Sequence, residues 1–121
     1  MHIPNAPARL LIPVVVACLL ALAACGRESG APEELSLAEI ASRQQAYEDR
    51  DVRVRGTVHG FHDPRHYWLE DGHRNRVGLV PEDLIAPHLG REVTIVGRYT
   101  YARDRGRRIS IATIEPYEPA R

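Results

Sequence analysis

The pattern that most constrains this chain is a strand written twice. Val52, Val54, Gly56 and Val58 alternate with Arg53, Arg55 and Thr57, and forty-one residues after Val52 the motif returns as Val93, Ile95 and Gly97. Apolar residues at every second position give a strand one face to bury and one to leave in water. Two such segments need a sheet whose inner faces meet, and the glycine in the middle of each narrows the choice. A glycine inside a strand packs nothing, so it suits a place where the sheet bulges, coils sharply or is approached closely. A small sheet closing on itself has several such places.

The segments around these two copies fill in the rest. Residues 66–70 (HYWLE) read as a second strand, Asp71-Gly72 as a turn and residues 76–80 as a short third strand. Pro81-Glu82-Asp83 opens a helix, because proline fits a first turn and acids suit the positive end of the dipole. Pro87 and Gly90 hold that helix to about two turns. Residues 92–101 form the fourth strand, 102–106 its loop and 107–114 the fifth, with Pro116 and Pro119 ending the pairing. Upstream, Ser36 and Glu39 have capping-box spacing. They predict a helix with a narrow apolar stripe of Leu37, Ile40 and Ala41, extended by Tyr47, and with Arg43, Gln44, Gln45 and Glu48 toward water.

Helix, three strands, short helix and two strands, in that order, resemble the OB-fold. The resemblance rests on Val52-x-Val54-x-Gly56-x-Val58, Leu69-x-Asp71-Gly72 and Val93-x-Ile95-x-Gly97, and covers residues 51–115. It implies a mainly β domain: a five-stranded OB-fold-like Greek-key barrel with an N-terminal helix and a short helix between strands three and four. An SH3-like barrel is the structural alternative, and it does not normally carry that second helix.

The beginning of the chain has a different character. Arg9 precedes an apolar run over residues 10–22, broken only by Pro13. Thirteen residues fall short of the ~20 that span a bilayer, and a buried helix of a soluble protein would show polar positions at every turn. The proportions are those of a secretory signal. The run ends in Leu22-Ala23-Ala24-Cys25, which resembles the bacterial lipobox. That resemblance implies cleavage before Cys25 and a diacylglyceryl thiol on the new first residue. Gly26, where an aspartate would favour retention at the inner membrane, implies the periplasmic leaflet of the outer membrane. The expected organisation is a signal peptide over 1–24, a lipid-anchored linker over 25–35, a domain over 36–115 and a tail over 116–121. Cys18 would leave with the signal, so the body has no thiol with which to form a disulfide.

Function is less constrained. All sixteen basic residues are arginine, against sixteen acids, and over residues 36–115 thirteen arginines face twelve acids. Such neutrality speaks against nucleic acid, whose binders show a clear basic excess. An OB-fold receives ligands across strands two and three, flanked by the first and fourth strand-connecting loops. Those positions hold Phe61, His62, His66, Trp68 and Arg76, together with Arg103, Arg105, Arg107 and Arg108. An aromatic beside arginines can stack on a base or sugar ring and neutralise an anion. The same residues can equally be a packed tryptophan and a solvated hairpin in which Asp104 offsets the arginines. The site candidates are Phe61, Trp68, Arg76, Arg103, Arg105 and Arg107. The partner would be an envelope protein, a saccharide or another small ligand.

Five of the six histidines fall within residues 59–88, and His59, His62 and His66 bracket the first loop. Imidazoles at that spacing could meet on zinc or copper, which makes a metal-binding envelope protein the alternative reading. No other cofactor is expected beyond the lipid at Cys25. The sequence has no nucleophile elbow and no phosphate-cradling glycine loop. Its paired acids, Glu70-Asp71 and Glu82-Asp83, stand at a turn and at a helix start. A non-enzymatic role is therefore expected.

Overall fold

Alternation becomes curvature in the computed structural model, which describes residues 30–119. In chain order the elements are β1 (Glu33–Glu34), α1 (Leu37–Ser42), β2 (Arg50–His62), β3 (Arg65–Glu70) and β4 (Arg76–Val80). There follow α2 (Glu82–Ile85), a 3-10 turn (Ala86–His88), β5 (Glu92–Ala102) and β6 (Gly106–Pro116). The six strands form one mixed sheet in a partial ring. β2 pairs with β3, β3 with β4, β4 with β6 in parallel, β6 with β5, and β5 again with β2.

The apolar alternates all point inward. Val52, Val54 and Val58 of β2 meet Leu69, Val77, Leu79, Val93, Ile95, Tyr99 and Ile109 from the other strands, and all are buried. α1 adds Leu37 and Ile40, and α2 adds Ile85. The capping box is formed: Glu39 N–H donates to Ser36 Oγ at 3.0 Å, and Ser36 N–H to Glu39 Oε2 at 2.8 Å. The helix ends at Ser42, so Tyr47 reaches the core from the turns that follow rather than from a longer helical stripe. The hydroxyl of the fully buried Tyr99 donates to the carbonyl of Gln44 at 2.8 Å. Burial raises its pKa to about 12.

The two mid-strand glycines serve different ends. At Gly56 a Cβ would lie 2.8 Å from Leu69 Cγ and 2.9 Å from Leu37 Cδ1, so this glycine lets α1 settle on the sheet. Gly97 sits at the register shift between β5 and β6, where a Cβ would run into the carbonyl of Ser110. Only the second is a bulge.

Two sequence expectations change. The segment read as a tether over 25–35 does not remain outside the fold: Glu33–Glu34 pair in parallel with Val52 and Arg53, and Leu35 is buried. Acidic residues hid a sixth strand, because two residues on one edge show no alternation. β2 and β6 also run past their predicted ends, β2 reaching His62 and β6 reaching Pro116. The segment over 10–22, Cys25 and Gly26 lie outside the described residues.

Candidate functional site

The outer face of β2, β3 and β4 follows from the same parity that builds the core. With Val58, Leu69 and Val77 inward, the outward positions are His59 and Phe61 on β2, His66, Trp68 and Glu70 on β3, and Arg76 and Gly78 on β4. Register sets them side by side: His59 opposite Trp68, Phe61 opposite His66, Trp68 opposite Gly78 and Glu70 opposite Arg76. The sequence left open whether Trp68 packs inward. It lies on the outer face, half-buried by its neighbours.

Those neighbours form a stack of planar groups. Phe61 and His66 lie 6.0 Å apart at 7°, His66 and Trp68 5.2 Å apart at 29°, and His59 lies 5.9 Å from Trp68 at 14°. The Arg76 guanidinium closes the stack 5.0 Å from the Trp68 ring, within cation–π range. Trp68 Nε1 donates to Glu70 Oε1 at 2.8 Å, and Arg76 Nε pairs with the same oxygen at 2.9 Å. The Trp68 hydrogen bond is the main cause holding the Glu70 carboxyl below its usual range; desolvation opposes it and Arg76 assists. The indole N–H is thus engaged within the protein. What the face offers a partner is the Phe61 ring, 54% exposed at its rim, and the ring edges of the stack.

Beside the stack, on its β4 side, a cleft of about 190 Å³ is lined by His66, Gly78, Val80, Glu82, Arg105 and Arg108, among others. Gly78 leaves the floor bare, and Arg108 lies opposite it on β6. Arg103 and Arg105 are exposed on the turn between β5 and β6, where Arg105 has Asp104 at 3.8 Å. Arg107 lines the cleft but is engaged within the protein. Its Nε donates to the carbonyl of Arg76 at 3.1 Å and its Nη1 to Gln44 Oε1 at 3.1 Å, so it ties β6 to β4 and to the turns after α1. Glu70 and Gly78 were missed as site residues. Both share the parity of Trp68 or its cross-strand partner, and that is the signal that could have found them.

The three-histidine metal centre does not assemble. Among the described residues no group of three His, Cys, Asp or Glu side chains converges as a metal site. His59 and His66 flank Trp68, while His62 stands at the hairpin end opposite Arg65, on the alternate parity to His59. His66 is also held by its own loop, its Nδ1 donating to the carbonyl of Pro64 at 2.8 Å. The i, i+3 spacing of His59 and His62 would suit one helix face, but on an extended strand it splits them between faces.

Among the described residues no helix is long and apolar enough to cross a membrane. No protein-family model matches the chain, and no curated protein does. Among solved structures it is similar to a DUF3299 family protein from Pseudomonas aeruginosa PAO1, with 11% identity and a TM-score of 0.48, over 75% of this chain and 99% of that one. By its own elements this protein contains a small, mostly β domain.

Proposed function

We propose that this chain is a non-enzymatic binding module, exported and held at the periplasmic face of the outer membrane by lipid on Cys25. Its folded part is read as an OB-type Greek-key barrel receiving a partner on the β2–β3–β4 face. Support for the barrel comes from the return of β5 to β2 and from α2 between β4 and β5. The lipobox and Gly26 support the address.

The observation that carries the binding reading is the open stack of Phe61, His66, Trp68 and Arg76. Planar groups held in register by a partly buried hydrogen bond present contact area with little side-chain entropy left to lose, which is how recognition surfaces gain affinity. The acids nearest the face are already engaged. Glu70 binds Trp68 and Arg76, and Asp71 accepts from the backbone of His73 and Asn75 and from the Asn75 amide. That favours binding over acid–base chemistry.

The test places a photo-crosslinking residue at Phe61 in intact cells and compares the captured partner with and without Trp68→Ala. Capture that depends on Trp68 is expected. A capture pattern unchanged by the substitution removes this face. In parallel, Cys25→Ser is expected to abolish lipid labelling and release the protein from membranes; persistence of both overturns the address.

A further inference from the structure

The β2–β3–β4 face has a cavity on each side of Trp68, and their charges differ. On the β2 side, a space of about 580 Å³ is lined by Arg55, His59, Glu70, Asp71, Arg74 and Glu92, among others. Its charges are largely matched internally: Arg55 pairs with Glu92 at 3.5 Å and Glu70 with Arg76 at 2.9 Å. On the β4 side, the cleft of about 190 Å³ gathers Arg105, Arg107 and Arg108 against the single acid Glu82. Arg107 is tied to Arg76 and Gln44. Among the described residues Arg108 has no ion pair and no side-chain hydrogen bond, although it is half-buried. An arginine that the protein leaves without a partner beside a cleft is free to pair with an anion that enters it.

We propose that this cleft binds a single hydroxylated anion, a sugar acid or sugar phosphate, with Arg108 and Arg105 on the charge and the ring lying over Gly78 against His66. The proposal rests on the binding-module reading and adds the ligand class. Three observations select that class. The cleft is smaller than the ~300 Å³ of a drug-sized pocket, which suits one ring. Its floor is made flat by Gly78, where a Cβ would stand 3.2 Å from the carbonyl of Arg107 and 3.5 Å from Arg108 Cγ. Glu82 on the rim accepts hydrogen bonds from ring hydroxyls, whereas it would repel a polyphosphate backbone. A nucleic-acid ligand is disfavoured further because the Trp68 ring on which a base would stack already has His59, His66 and Arg76 against it.

Trp68 is the only tryptophan, and it stacks on His66 and stands opposite Gly78, two residues that line the cleft, so its emission reports on a ligand held there. The folded full chain is titrated with glucuronic acid, glucose 6-phosphate, glucose and a short oligothymidylate. Glucuronic acid or glucose 6-phosphate should change the emission, with glucose at least about tenfold weaker. Whichever acid binds more tightly distinguishes a carboxylate from a phosphate source. Arg108→Gln should weaken the acid about tenfold and leave glucose unchanged, and Arg105→Gln should act in the same direction. The proposal is overturned by equal binding of glucose and the acids, by an Arg108→Gln variant that binds the acid normally, by no response to either acid, or by tighter, steeply salt-dependent oligothymidylate binding. Loss of the anion effect with Trp68-dependent crosslinking intact would reject the ligand class and leave the binding face standing.

Discussion

At Glu70 one carboxylate oxygen serves two neighbours, accepting from Trp68 Nε1 at 2.8 Å while it pairs with Arg76 Nε at 2.9 Å. The indole plane and the guanidinium beside it are therefore set by a residue that need not touch a ligand. Because the folded pKa lies below the ordinary value of 4.5, the stabilisation is fully present above pH 4.5 and is lost as pH falls through the depressed folded value. Trp68 emission is expected to shift on that acid limb and to lose the shift in Glu70→Gln, which keeps an acceptor but cannot titrate. An identical acid-limb shift in the variant would show that another group controls the ring. The sequence presented Glu70 as half of an acidic pair beside a turn. Its partnership with Trp68 follows from two-residue spacing on one strand face, whereas the role of Arg76 depends on the register between β3 and β4, which no local pattern carries.

Among the elements, β2 and β5 were legible because their apolar residues fall at every second position without a break. Their glycines were legible as exceptions but not as two different exceptions. Gly56 yields its space to side chains, Leu69 and Leu37, whereas Gly97 yields it to the backbone of Ser110 at a register shift. A Cβ at Gly56 would also stand 3.0 Å from the carbonyl of Glu70, but its two closest contacts are side chains that can move, whereas at Gly97 the closest is the backbone of a paired strand. Gly56→Ala is therefore expected to cost about 1–3 kcal/mol, and Gly97→Ala more, read as a lower urea midpoint at unchanged slope. Equal costs would show that β6 adjusts freely at the bulge. β1 was not legible at all, since its two residues are both acidic and exposed, and what holds them, backbone pairing with Val52 and Arg53 and ion pairs from Glu33 to Arg50 and from Glu34 to Arg53, depends on partners some twenty residues away. The histidines were misread for a related reason: spacing along the chain says which residues are near, while strand parity decides whether they share a face.

For the whole molecule, the fold begins earlier than its periodic part. Leu35 is buried, its N–H donates to the carbonyl of Arg53 at 3.1 Å, and Arg53 in turn makes a two-point ion pair with Glu115 near the end of β6. Deleting the residues through Leu35 removes one buried leucine and the β1 pairing, at an expected cost of about 2 kcal/mol. Thermal unfolding of the shortened and full chains measures it, and equal midpoints would return residues 33–35 to the status of a tether.

The ring also depends on a short fastening. β4 meets β6 through three residue pairs, Gly78 with Arg108, Leu79 with Ile109 and Val80 with Ser110, and β6 is the last strand among the described residues. Until residues 108–110 arrive, one margin of β4 has nothing to pair with, and its backbone amides and carbonyls are open to any extended segment nearby. The same strand supplies Arg108, so the chain acquires that cation and closes its exposed margin in a single late event. A nascent or truncated chain that stops short of β6 would therefore be both without its anion cleft and prone to associate edge to edge.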